Sequence, residues 1–158
     1  MIGCQSEPAA PPPSGGEKKA AQVMRDFRLT DIQKGQKNMM LYASEAQLFE
    51  EQHMAELEKP DAVFLKQGRP SSRLLAPKGR VDTETHHVEA WGGVTVTTVD
   101  SETLTTQRLQ YDPVRNLIHT AQPVHLDRPD SVTDGIGLES DPQLQKMVIG
   151  KQTVRFKK

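Results

Sequence analysis

The chain has 158 residues, a formal net charge of -1, 26% charged residues and only 4% aromatic ones. That length suits one domain, the mixed charges leave no basic stripe for a polynucleotide partner, and no run approaches the ~20 apolar residues of a membrane span. With so few aromatics the core must be aliphatic and thin, which argues against a bulky enzyme interior.

The first segment, "MIGCQSEPAAPPPSGGEKK", holds the only cysteine, Cys4, among polar and Pro-rich neighbours that offer a buried thiol nothing to pack against. Ile2-Gly3-Cys4 resembles the end of a bacterial lipobox, in which the cysteine is cleaved to the N-terminus and acylated. A lipoprotein signal needs an apolar run of ~7–15 residues before that point, so the reading requires a start further upstream; the alternative is a chance match. The Pro-rich then Gly-rich stretch suits a flexible tether. Cys4 is therefore the expected lipidation site, residues 1–26 form the tether, and Glu17 to Lys34 read as a weakly ordered lead-in.

From Met40 onward the apolar period is two, in short runs broken by turn residues, which is a β signature. "YASEAQLFEEQHMAELEKP" is the ambiguous piece: propensity favours a helix over Glu45 to Leu57, whereas partial alternation and the plain strand "DAVFLKQG" after it favour strands, the reading adopted here. In "HVEAWGGVTVTTVD" Val88, Ala90, Gly92, Val94, Val96 and Thr98 share one face. In "TLTTQRLQY" the parity changes between Leu104-x-Thr106 and Leu109-x-Tyr111, so a β-bulge is expected near Gln107-Arg108. "NLIHTAQPVHL" sets Ile118, Thr120, Gln122, Val124 and Leu126 on one side, with Pro123 expected at a strand end or edge. "SVTDGIGLES" continues with Val132, Ile136 and Leu138 inward. Recurrent strands with one apolar face predict an all-β antiparallel sandwich or jelly roll, spanning 27–150 and followed by a basic C-terminal tail over 151–158.

The order of three stretches resembles the LptC family of lipopolysaccharide export and its LptA/OstA relatives. "GQKNMMLYASEAQL" is similar to an opening Gly and L-x-A-x-x-A strand (Leu41, Ala43, Ala46). "LLAPKGRVDTETHHVEAWGGVTV" is similar to an A-x-x-G-x-V hairpin and G-x-V strand (Ala76, Gly79, Val81, Gly93, Val94). "LTTQRLQYDPVRNLIHTAQPVHL" is similar to an L-x-T-x-x-L-x-Y-D segment and a T-x-x-P-V strand (Leu104, Thr106, Leu109, Tyr111, Asp112, Thr120, Pro123, Val124). "DGIGLESD" resembles the family's late Gly-rich strand. Two departures stand out: family members commonly carry an N-terminal transmembrane helix, absent from this sequence, and Met40 stands where an aromatic residue is frequent.

The resemblance implies an incompletely closed, twisted jelly roll in the periplasm that holds acyl chains between its sheets. It implies lipopolysaccharide as ligand, inner-membrane ABC transporter permease subunits as donors, and an LptA-like periplasmic bridge protein as acceptor, with no cofactor and no catalytic residue. Val88, Val94, Val96, Leu104, Leu109, Ile118, Val124, Leu126 and Leu138 are the expected lipid-binding groove, and Gly135 and Gly137 the expected partner interface. A multi-acyl group on Cys4 would replace the helix as membrane anchor; inner-membrane anchorage is expected, although Gln5 does not supply the Asp that marks retention there. By residue pattern alone, the same stripe also fits a periplasmic structural or adaptor lipoprotein with a sealed β core and no ligand.

A metal site is the rival class. His53, His86, His87, His119 and His125 are available with Glu84 and Glu89, and Glu84 and His86 would share a face on a strand. Adjacent histidines on a strand point apart, however, and no HExxH, HxH or cysteine pair is present, so surface histidines are the better account. No G-x-S-x-G, P-loop or dinucleotide fingerprint occurs.

Overall fold

Period-two burial runs through nearly the whole of the computed structural model, which describes residues 22–158. The elements are β1 (Gln22–Gln33), β2 (Gln36–Phe49), β3 (Met54–Glu58), β4 (Asp61–Lys66), β5 (Arg69–Leu75), β6 (Lys78–Asp82), β7 (Val88–Thr98), β8 (Thr103–Asp112), β9 (Leu117–Asp127), β10 (Ser131–Ser140), β11 (Met147–Ile149) and β12 (Thr153–Phe156). All are antiparallel members of one sheet ordered β11-β10-β9-β8-β7-β5-β4-β2-β3-β6, with β1 on β2 and β12 on β10.

Two long strands make this sheet a sandwich. The first part of β2 pairs with β4 and its second part with β3; likewise β7 pairs first with β6 and then with β5. Each therefore joins two layers, which face one another across a shared core. Phe64 on β4 and Tyr111 on β8 belong to strands that are not ladder neighbours, yet their rings meet edge to face with centroids 4.8 Å apart. The sheet is not closed into a barrel, as expected for an incompletely closed jelly roll.

The ambiguous segment is β: β2 ends at Phe49, a 3-10 turn covers Glu50–Gln52, and β3 pairs back in register from Phe49↔Met54 to Glu45↔Glu58. Burial of Ala46, Phe49, Ala55 and Leu57 in the core overrides the helix propensity of this alanine- and glutamate-rich stretch. The parity change in β8 also occurs where expected, with Gln107 and Arg108 both exposed and register shifts toward β7 and β9 on either side.

Other expectations are corrected. The lead-in is a strand: β1 occupies Gln22 to Gln33 and pairs along the length of β2. Its inward positions read Phe27, Leu29, Asp31, and the charge at the third hides the alternation. Four residues of the C-terminal tail form β12 against β10. Pro123 lies inside β9, between β8 and β10, where register shifts on both sides relieve the strand of the amide a proline lacks. Ile136 points to solvent and Val132 is only partly covered, because β10 turns its buried set to Ser131, Thr133 and Gly135 before a bulge at Gly137 restores Leu138 and Ser140. Gly92 and Gln122, assigned inward, are exposed next to the bulges of β7 and β9.

Candidate functional site

The inner face is built from rows of aliphatic side chains that run across the strands. One row passes in register through Leu29, Leu41, Ala62, Leu74, Val96, Leu104 and Leu126, and so crosses β1, β2, β4, β5, β7, β8 and β9. At ~4.8 Å per strand it spans about 29 Å. A second row joins Ala55, Val81, Val88, Tyr111 and Ile118. Directly opposite residues share a face, so neither row is interrupted by a charge.

All the groove candidates lie on this face: Val88, Val94, Val96, Leu104, Leu109, Ile118, Val124, Leu126 and Leu138 are 0–5% exposed. The interior is packed shut in this state. Sequence reading missed the opposite wall, Met39, Leu41, Ala62, Phe64 and Leu74; Leu41, Ala62 and Phe64 stand in runs read as strands, whereas Met39 and Leu74 lie outside them. It also missed Leu144, which reaches the core from a loop and carries no periodic signal.

Polar groups on this face are few and have local partners. Thr106 donates to the Pro123 carbonyl at 2.9 Å. The Tyr111 hydroxyl donates to Asn116 Oδ1 at 3.2 Å, and burial, with Asp31 and Asp112 nearby, pushes its phenol well above the ordinary range. Asp31 is the exception, a fully buried carboxylate. Its Oδ1 accepts from Gln33 Nε2 at 3.0 Å and lies 2.8 Å from His86 Nδ1, while its Oδ2 is buried without a hydrogen bond among the described residues. His86 is held there by the loop between β6 and β7. In that loop the amides of Glu84 and Thr85 donate to Asp82 Oδ1 at 2.8 and 2.9 Å, and the Thr85 amide keeps the Asp82 carboxyl below its usual range.

The outer face carries a separate ionic cluster. Glu89 pairs with Arg80, at 2.7 Å, and with Arg108, and both guanidiniums lie over the Trp91 ring, 5.8 and 5.2 Å from its centroid. Burial pushes the Glu89 carboxyl up, but the hydrogen bonds and charges of Arg108 and Arg80 outweigh it and hold the group below the usual range.

The histidines disperse. His53 faces Glu84 at 3.5 Å, His87 faces Asp112 at 3.3 Å, His125 faces Asp134 at 2.7 Å, and His86 faces Asp31. Glu84 and His86 stand in a loop rather than on a strand, so alternation does not bring them together. Among the described residues no group of three or more His, Cys, Asp or Glu could hold a metal ion.

Both late glycines have reasons within the chain. A Cβ on Gly135 would collide with Ile149 and stand 2.7 Å from the Gly150 carbonyl, whereas one on Gly137 would meet the Thr120 carbonyl at an ordinary 3.9 Å but at a φ of +88 at the bulge. Cys4 lies outside the described residues.

An antiparallel jelly roll, left open and wrapped on an unbroken aliphatic interior, is the class of protein this architecture defines. Its fold is similar to the crystal structure of LptH, the LptA-homologous periplasmic component of the conserved lipopolysaccharide transport device from Pseudomonas aeruginosa. The TM-score is 0.54, with 16% identity over 71% of this chain and 81% of that one. The chain belongs to the lipopolysaccharide-assembly, LptC-related family, whose model matches residues 4–155. No curated protein matches it. The family is one of lipopolysaccharide transport components, which places the chain in that process, and proteins of this LptC- and LptA-like kind are periplasmic.

Proposed function

We propose that the chain is a periplasmic lipopolysaccharide-binding component of the export machinery. It receives lipid from an inner-membrane ABC transporter and passes it to a bridge protein of the same fold. The observation that carries this reading is the aliphatic row from Leu29 to Leu126, uninterrupted by charge in a sheet that remains open. Such a face accepts hydrocarbon with a gain of ~0.8 kcal/mol per buried CH₂ and needs no chemistry of its own.

The sheet edges support the hand-off. Among the described residues, β1 pairs only with β2, and β12 only with β10. Val154 and Phe156 stand opposite Thr133 and Ser131, on the inward side, yet are 42% and 77% exposed. They extend the apolar face beyond the edge, where strand addition by a neighbouring domain would make it continuous. Acylation of Cys4 would tether the domain to a membrane, and the transport energy would come from the ATP-hydrolysing partners.

Burial of every groove candidate favours a second reading, a sealed-core adaptor that binds no lipid. Native mass spectrometry of the chain with and without deep-rough lipopolysaccharide separates the two. Site-specific photo-crosslinking from Val96 and Leu109 in lipopolysaccharide-producing cells gives the in-cell counterpart. A one-to-one adduct and lipid cross-links are expected; a folded chain with neither establishes the adaptor.

A further inference from the structure

Most of the core is supplied by strands, but one leucine enters it from a loop. Leu144 lies between β10 and β11 and is 1% exposed. Its φ is +60, a conformation that Cβ sterics make costly for a bulky L-residue. The loop's own bonds hold that conformation: the Leu144 amide donates to the Asp141 carbonyl at 3.1 Å, and the amides of Gln145 and Lys146 donate to Asp141 Oδ1 at 2.8 and 3.0 Å.

What ties the loop down across the sandwich is a small set of side-chain bonds. Ser72 Oγ donates to the Pro142 carbonyl at 2.7 Å, and Gln143 Nε2 donates to Ser71 Oγ at 2.8 Å. Lys66 Nζ donates to Gln145 Oε1 at 3.0 Å, and Arg128 Nη2 to the Leu144 carbonyl at 3.3 Å. The last ladder pair before the loop is Ser140↔Met147. Among the described residues every other buried apolar side chain of the core stands on a ladder-paired strand, whereas Leu144 stands on a loop whose base alone is paired. Segments with few ladder bonds open at the lowest free energy.

We propose that the loop from Asp141 to Lys146 is a stopper: Leu144 fills the end of the aliphatic interior while the chain is empty, and an incoming acyl chain displaces it. This inference rests on the lipopolysaccharide-binding reading above, and it reconciles that reading with the closed interior. An ordinary core leucine would instead stay in place on loading and contribute only to stability.

The test uses the full chain with Cys4→Ser, Ser71→Cys and Gln143→Cys, the introduced pair bridged by a short reducible thiol cross-linker, and deep-rough lipopolysaccharide as the probe. The bridged form is expected to lose the native-mass adduct at least tenfold and to regain it on reduction. Leu144→Gly, which suits the positive φ, is expected to load several-fold more lipid while melting lower. In the unaltered chain, the amides of Gln143 to Lys146 are expected to lose hydrogen-exchange protection when lipid is added. Equal loading of bridged and reduced forms, or unchanged protection on loading, overturns the stopper and leaves lipid binding intact. An unaltered, folded chain that takes no lipid overturns both.

Discussion

Truncating Leu104 to alanine takes hydrocarbon out of the middle of the row that joins Val96 to Leu126. Leu104 is 1% exposed, so the transfer loss is undiluted by solvent. About three CH₂ equivalents at ~0.8 kcal/mol each amount to about 2.4 kcal/mol. The void left between two ladder-bonded layers raises the cost to about 3–4 kcal/mol, or roughly 10 °C in melting temperature for a domain of this size. Urea titration should show the midpoint falling with an unchanged slope. The informative arm repeats the titration in saturating deep-rough lipopolysaccharide. Hydrocarbon held between the sheets refills the void, so the difference between wild type and variant should shrink to about half or less, since the missing methylenes are replaced at the same ~0.8 kcal/mol apiece. A loss below ~1 kcal/mol without lipid would refute the close packing of Leu104. An equal loss with and without lipid would refute an acyl-accepting interior.

Gly135→Ala places a methyl group against Ile149 and the Gly150 carbonyl; it should cost ~1–3 kcal/mol and speed amide exchange in β11, and unchanged exchange there contradicts the packing argument. His86→Ala leaves the buried Asp31 with Gln33 as its remaining donor and should cost ~1–3 kcal/mol. Adding Asp31→Leu should recover most of that, because a buried carboxyl without its partner leaves polar atoms unsatisfied and an apolar side chain does not; failure to recover shows that the carboxyl is not the source of the loss. Glu89→Gln should cost about 1 kcal/mol at neutral pH, since its partners are half exposed and screened, and should alter Trp91 fluorescence. Because Arg108 and Arg80 depress the folded carboxyl against the upward push of burial, its stabilisation is complete above the ordinary carboxylate range and fades as pH falls through the folded value. The variant should therefore lose stability less steeply on acidification, and parallel acid limbs would contradict the pairing.

Where a strand keeps strict alternation with apolar residues inward, sequence alone placed its inner side chains. Val88, Val94 and Val96 on β7 and Leu104 and Leu109 on β8 are cases, the last pair across a bulge. Reading failed where an inward position is polar or the bulge itself carries the phase. Asp31 concealed β1, and Gly137, by re-phasing β10, sent Ile136 outward against its hydrophobicity. The site was half legible for the same reason: β7 to β9 show long alternation, whereas much of the opposite wall comes from the short strands β4 and β5, in which Ala62, Phe64 and Leu74 make few repeats. Nothing in one-dimensional pattern could announce Leu144, whose place depends on a turn conformation and on contacts that its neighbours Pro142 and Gln143 make some 70 residues away in sequence.

The register also links the two polar closures of the interior. Asp31, Met39, Phe64 and Ser72 form one transverse row across β1, β2, β4 and β5. His86 is bonded at one end of that row, on Asp31, and Pro142 of the stopper loop at the other, on Ser72. Between them Phe64 rests on Tyr111 of the opposing layer. Backbone ladders join the layers where β5 meets β7, Ser72 standing opposite Thr98, and through β3 and β6; away from those ladders, the contacts between layers along this row are His86 on Asp31, Pro142 on Ser72 and Phe64 on Tyr111. Separation there costs hydrogen bonds that water can replace, and exposes apolar surface that hydrocarbon would cover again. Under the proposed lipid-binding function, the side-chain contacts of the Asp31–Ser72 row would part before the β5–β7 and β3–β6–β7 ladders that join the layers, and the Ser72–Pro142 bond places the stopper loop among those contacts.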